Sequence, residues 1–165
     1  MGTVLRKSVR DIMKIYFVCT GNTCRSPMAE AILKHKKSTF EVKSAGIYAL
    51  EGGRISENSK IVLENENIHF NHTTRQVKKE DIEWADLILT MTTAHRDMIL
   101  QLFEEAKGKT YTLKEYVAPY SSLDVSDPYG GDIHTYTQTY EELNRLIDDL
   151  INKITKGEED DEQEL

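Results

Sequence analysis

The chain has 165 residues, 28 acidic and 21 basic, with a formal charge of −7, 39% hydrophobic residues and two cysteines. That length suits one domain burying roughly two thirds of its unfolded surface, and two cysteines exclude a disulfide-rich scaffold or a four-thiolate zinc site. No apolar run approaches the roughly 18 residues of a membrane span, no signal-type apolar core follows the basic N-terminus, and the acid excess argues against broad nucleic-acid binding.

Few thiols and no export signal point to a reduced, cytoplasmic protein. Residues 14–19, Lys-Ile-Tyr-Phe-Val-Cys, are apolar and β-prone, which predicts a buried strand. Residues 20–23, Thr-Gly-Asn-Thr, make a turn-prone cluster. Ser26 offers an N-cap with Pro27 at the first helical position; Met28, Ala31, Ile32 and His35 then follow at helical spacing, predicting a helix to about Lys37. Residues 40–45 read as a second strand, and the Ser56 region opens a helix through Ile61 and Leu63. Residues 85–90 read as a third strand, 92–102 as a helix and 109–113 as a short fourth strand.

Tyr136, Tyr140, Leu143, Ile147, Leu150, Ile151 and Ile154 step by three and four, so the body closes with a long amphipathic helix whose stripe is core. Residues 157–165 hold six acids and no base, a disordered, solvated tail by composition. The organisation expected is therefore an extension over 1–12, one body over 13–156 and a tail over 157–165. Strands separated by helices imply an α/β fold of three layers: a central four-stranded parallel sheet with helices on both faces. Such sheets bind ligands at the carboxyl ends of their strands, where residues 19–26 lie.

Cys19-Thr20-Gly21-Asn22-Thr23-Cys24-Arg25-Ser26 fits Cys, five residues, Arg, Ser. A thiolate is a strong nucleophile once a helix N-terminus and nearby cations lower its pKa. A short loop curled around an anion turns successive backbone N–H groups inward, and Gly21 and Asn22 tolerate the left-handed angles this needs. Arg25 can grip two phosphate oxygens with its planar fork and stabilise transition-state charge, while the Ser26 hydroxyl can donate to the thiolate. The bare pattern is short, and buried cysteines are often only small hydrophobes. Context strengthens it: both cysteines lie in this loop, after a strand and before a helix.

The run from Val18 to Glu30, Val-Cys-Thr-Gly-Asn-Thr-Cys-Arg-Ser-Pro-Met-Ala-Glu, resembles the signature of the low-molecular-weight protein phosphatase family. Ser44-Ala45-Gly46, His72-Thr73-Thr74-Arg75-Gln76 and Asp127-Pro128-Tyr129-Gly130-Gly131 resemble further family landmarks in the same order, so the resemblance runs from about Met13 to Ile154. It implies that Cys19 attacks phosphorus and that Arg25 stabilises the transition state. Asp127, before proline, would act as general acid and then as base; Asp124 and Asp132 are nearby acids that do not precede proline. The loop 20–25 would bind phosphate, with Asn22, Ser26, Ser44 and His72 bracing it. No cofactor or metal is implied, and the partners are phosphorylated proteins, with monomer as the default state.

Among family members the chain is most similar to the bacterial branch acting on phosphoarginine. The residue that carries this is Thr23, where tyrosine-specific relatives have a larger aliphatic side chain; tyrosine-phosphatase activity is the alternative. Cys24, near Cys19 in a curled loop, suggests a reversible disulfide that makes the enzyme redox-sensitive. Three other readings fail or recede. Gly108-Lys109-Thr110 lacks the glycine a nucleotide loop needs at Phe103 and precedes a strand. Arsenate reductases of similar fold need further shuttling cysteines, and a non-enzymatic anion-binding module remains as the reading outside catalysis.

Overall fold

The structure, a computed structural model, describes residues 13–117 and 122–163, with side chains described as far as 156. The expected extension over 1–12 lies outside the described residues. In chain order the elements are β1 (Lys14–Cys19), α1 (Arg25–Lys36), β2 (Glu41–Gly46), α2 (Glu57–Asn65), α3 (Lys79–Trp84), β3 (Leu87–Thr90), α4 (Thr93–Leu102), a 3₁₀ turn (Glu104–Ala106), β4 (Thr110–Thr112), α5 (Leu113–Val117) and α6 (Ile133–Gln163). All strands pair in parallel, in the order β2-β1-β3-β4.

Strand geometry divides the interior into two cores. Successive side chains of a strand point to opposite faces. Ile15, Phe17 and Cys19 of β1, with Leu87 and Leu89 of β3, enter the core made with α1, α2, α5 and α6. Tyr16, Val18 and Ile88 enter the other, made with α3 and α4. Both faces of β1 are therefore covered, and its residues 15–18 are fully buried. The three-layer α/β architecture expected from the sequence is the one observed. Among the described residues no helix is long and apolar enough to cross a membrane.

The predicted strands and longer helices form with small shifts at their ends, but several details differ. Ser26 is not the N-cap of α1. The helix starts at Arg25 with Cys24 as N-cap, because the loop closes two residues earlier and draws the Ser26 hydroxyl inward. Pro27 still falls within the first turn, where a missing N–H is no loss. His35 is exposed, so the buried face of α1 ends at Leu33. Ser56 caps α2 as expected, its hydroxyl accepting from Ser59 N at 3.3 Å. The short helices α3 and α5 were not expected from periodicity. The backbone of α6 stays helical to Gln163, past the expected boundary at 156, since Glu and Gln are good helix formers.

Candidate active site

The chain leaves β1 to reach β2 on one side and leaves β3 to reach β4 on the other, so the β1/β3 junction is a topological switch point. Two segments meet there: the loop after β1 and the N-terminus of α4 after β3. The loop joins a fully buried strand to a helix in five residues, 20–24. Asn22 supplies the reversal by adopting a left-handed φ of 59°. That conformation costs about 1 kcal/mol or more for an L-residue, and asparagine bears it best.

Asn22 is fully buried, and both polar atoms of its side chain and its carbonyl oxygen have partners. Its amide nitrogen donates to Ser26 Oγ at 2.8 Å and to Ser44 Oγ at 2.9 Å. Its amide oxygen accepts from Arg75 N at 3.0 Å, and its carbonyl oxygen accepts from His72 Nε2 at 2.9 Å. The Ser44 hydroxyl in turn donates a hydrogen bond to Glu30 Oε1 at 2.7 Å, and Glu30 is held by Lys34. Desolvation holds the His72 imidazole below its usual pKa, keeping it neutral for this bracing bond. The four residues expected to brace the loop, Asn22, Ser26, Ser44 and His72, thus form one connected network.

Gly46 explains why β2 can lie against this loop. A Cβ there would stand 2.5 Å from the Thr20 carbonyl oxygen and 2.8 Å from Asn22 N. The backbone continues the contact: Ile47 N donates to the Cys19 carbonyl at 3.0 Å and Tyr48 N to the Thr20 carbonyl at 2.9 Å.

Cys19 and Ser26 meet at 2.8 Å between Sγ and Oγ. Asn22 Nδ2 donates to the same hydroxyl, and the Ala45 carbonyl lies 3.4 Å from it, so the Ser26 proton has both the sulfur and this weaker, longer acceptor within reach. Arg25 is almost wholly buried, its side chain 6% exposed, with Nη1 donating to the Val125 carbonyl at 3.0 Å. Nη2 stands 3.6 Å from Asp127 Oδ2, whose side chain is 54% exposed. Asp127 Oδ1 accepts from Tyr129 N at 3.1 Å, closing a turn around Pro128. A cavity of about 220 Å³ collects Cys19, Thr20, Gly21, Thr23, Cys24, Arg25, Asp127 and Tyr129. Its volume suits a phosphoryl group and the end of one side chain.

The second thiol is engaged elsewhere. Cys24 Sγ lies 3.4 Å from Tyr136 Oη and 3.6 Å from Ser56 Oγ, and both cysteines are free. Burial and the neighbouring Cys24 push the Tyr136 phenol up to about 12, so it remains a neutral partner. Thr23 is half-buried on the cavity wall, and its carbonyl accepts from Ser56 N at 3.0 Å.

Sequence reasoning missed His95 and Gly46 as loop contacts. His95, near the start of α4, is buried and has Nε2 at 2.8 Å from Thr20 Oγ1. Burial, and then the charge of Arg25, push its pKa down to about 4. The sequence signal for Gly46 was its place in the Ser44-Ala45-Gly46 run that ends β2; His95 lies 75 positions from its partner and carries none.

A family model described as low molecular weight phosphotyrosine protein phosphatase matches residues 14–160. The chain is 49% identical over 142 residues to a protein-arginine-phosphatase of Geobacillus stearothermophilus, covering 86% of this chain and 95% of that one. It is 41% identical over 138 residues to the low molecular weight protein-tyrosine-phosphatase PtpB of Staphylococcus haemolyticus, covering 84% and 97%. A solved arginine phosphatase from Geobacillus stearothermophilus superposes with a TM-score of 0.86 at 47% identity, covering 90% of this chain and 96% of that one.

Proposed function

The chain belongs to the low molecular weight phosphotyrosine protein phosphatase family, cysteine-dependent enzymes of phosphoproteins, and we propose that its substrate is phosphoarginine in proteins. The observation that carries the proposal is the set of groups around one small cavity: a serine-bonded thiol, a buried arginine, an acid facing it and the short hydroxylic Thr23. A catalytic body over 13–156, acting as a monomer in the cytoplasm, belongs to the same reading.

Cys19 attacks phosphorus as the thiolate, received by the Ser26 proton. The S–P bond forms as the P–N bond to the guanidino group breaks. Arg25 holds two equatorial oxygens and gathers the charge spreading over them. Loop amides supply the remaining donors, since the left-handed turn at Asn22 curls the chain around the anion. Asp127, at the open side of the cavity, gives its proton to the departing nitrogen. In the second step Asp127 takes a proton from water, the oxygen attacks phosphorus, and the S–P bond breaks. Phosphate leaves, and Cys19 is again a thiolate.

Thr23 supports the choice of nitrogen over aryl oxygen as leaving group. A threonine on the cavity wall leaves room and a hydroxyl beside a planar polar guanidinium, where a long aliphatic chain would pack on an aromatic ring. Asp127 faces that same group, and its proton goes to the guanidino nitrogen as the P–N bond breaks, so the leaving group departs as a guanidinium. The 49% identity to a protein-arginine-phosphatase agrees with this reading.

Redox control is part of the proposal. Peroxide oxidises Cys19 to the sulfenic acid, and Cys24 displaces water from it to form a disulfide. Cys24 must first leave Tyr136 and Ser56, contacts long enough to be weak.

The deciding measurement sets phosphoarginine-bearing and phosphotyrosine-bearing proteins side by side with the enzyme and its Cys19→Ser variant. Faster release from phosphoarginine, abolished by Cys19→Ser with phosphate still bound, is the expected result. Preference for phosphotyrosine, or turnover surviving in the variant, would refute the substrate or the nucleophile respectively.

A further inference from the structure

His95 sits at the switch point but has no part in the chemistry above. It is 8% exposed and occupies the first turn of α4, where its backbone N–H donates to Thr92 Oγ1 at 3.2 Å. One ring nitrogen, Nε2, lies 2.8 Å from Thr20 Oγ1. The other, Nδ1, is fully buried and has no hydrogen-bond partner among the described residues. Thr20 itself is exposed to the cavity and lines it beside Cys19 and Arg25.

The two tautomers of a neutral imidazole give this pair opposite polarities. If Nδ1 carried the proton, a buried N–H would lack an acceptor and face the positive field of Arg25. The Nε2 lone pair would then take the Thr20 hydroxyl proton, and Thr20 would have no donor left for the cavity. If Nε2 carries the proton, Nδ1 presents a lone pair to the guanidinium field, which is attractive. Nε2–H then donates to Thr20 Oγ1, and the threonine's own proton is free to turn towards the cavity.

We infer that His95 is a positioning residue: by donating Nε2–H to Thr20 Oγ1 it turns the Thr20 hydroxyl into a hydrogen-bond donor aimed at an oxygen of the transferring phosphoryl group. The inference rests on the phosphatase reading, and it adds a side-chain donor to a cradle otherwise made of backbone amides and Arg25. It also gives α4 a function. The helix after β3 fixes the first residue of the loop after β1, across the junction where the two chain directions diverge. The charged groups facing the ring are Arg25 on α1 with Asp124 and Asp127 on the loop before α6. Burial and Arg25 together keep the ring neutral above pH of about 4, so the bond keeps one polarity through the working range.

The test has two arms on the full chain. Long-range nitrogen–proton correlation on histidine-labelled protein reads the tautomer without any turnover. A His95 ring with Nε2 protonated and Nδ1 bare is expected; protonated Nδ1 overturns the inference whatever the substrate proves to be. The second arm uses a generic aryl phosphate. Thr20→Val and His95→Leu should each lower kcat on the order of tenfold with little change in KM, and each should weaken vanadate inhibition in parallel. The double variant should be no worse than either single one, while Thr20→Ser and His95→Gln should recover most of the rate. Independent, multiplicative losses, or full kcat in Thr20→Val, overturn it. Wild-type protein inactive on every phosphate ester would instead refute the phosphatase reading and leave the tautomer result standing.

Discussion

Arg25 Nη2 and Asp127 Oδ2 face each other at 3.6 Å, a buried cation and a half-exposed acid lining one cavity. The separation exceeds a hydrogen bond, and the exposed carboxylate is screened by solvent, so the pair adds little stability. Its consequence is positional: the acid is held over the phosphoryl site yet is free to turn towards a leaving group.

Asp127→Asn keeps the shape of that wall but removes the transferable proton. Turnover of phosphoarginine proteins should fall by about 10² to 10⁴. The loss should shrink for aryl phosphates whose leaving groups need little protonation. Steady-state rates across phenols of graded acidity check this, and an equal loss for all of them would remove Asp127 from the acid role.

Thr23→Ile fills the cavity wall with an apolar branch where a hydroxyl stood. The ratio of kcat/KM for phosphoarginine over phosphotyrosine should fall by roughly ten- to a hundredfold, since a methylene-scale change in a pocket discriminates by about that factor. Paired assays on both substrates give the ratio. An unchanged ratio would detach Thr23 from specificity.

Gly46→Ala puts a carbon where the Thr20 carbonyl and Asn22 N already lie, both backbone atoms that cannot swing aside. Thermal or urea unfolding should show a loss of about 1–3 kcal/mol, as for other overpacked sites. Activity should fall further than stability, because the atoms displaced belong to the phosphate loop. Wild-type kcat in a folded Gly46→Ala protein would contradict that placement.

His95 makes stability depend on pH. Its folded pKa of about 4 lies below the ordinary value near 6.5, so between these limits the unfolded chain binds more protons. Stability is fully present above about pH 6.5 and declines as pH falls towards 4, by roughly 3 kcal/mol at most. His72 is shifted the same way and adds to the slope. Urea unfolding at pH 7 and at pH 4.5 should show the loss, and His95→Gln should flatten the part due to that residue. Equal slopes in the two proteins would mean the ring is not held neutral.

Much of this site was legible in the sequence because its parts are close together along the chain. Cys19 to Ser26 occupy eight consecutive positions, and the apolar run before them announces the strand that presents them. Asp127 could be picked out from Asp124 and Asp132 by the proline that follows it and by family resemblance. What failed has physical causes. A capping serine and a serine turned into a thiol pocket have the same local pattern: of the two roles the sequence offers Ser26, the thiol contact forms and the cap falls to Cys24. Helices α3 and α5 are too short to show a period of 3.6 residues. His95 meets Thr20 only because β3 lies beside β1, a fact of topology that no local pattern carries.

The alternating faces of β1 have one more consequence. Ile15, Phe17 and Cys19 belong to one core, Tyr16 and Val18 to the other, and Cys19 is paired in register with Gly46. A slip of one residue between β1 and β2 would exchange the two sets and replace the glycine under the loop with a side chain. A misassembled molecule would then lose its nucleophile's setting at the same moment as its packing. The register that packs the sheet is therefore the same register that places Cys19 and the glycine beneath its loop.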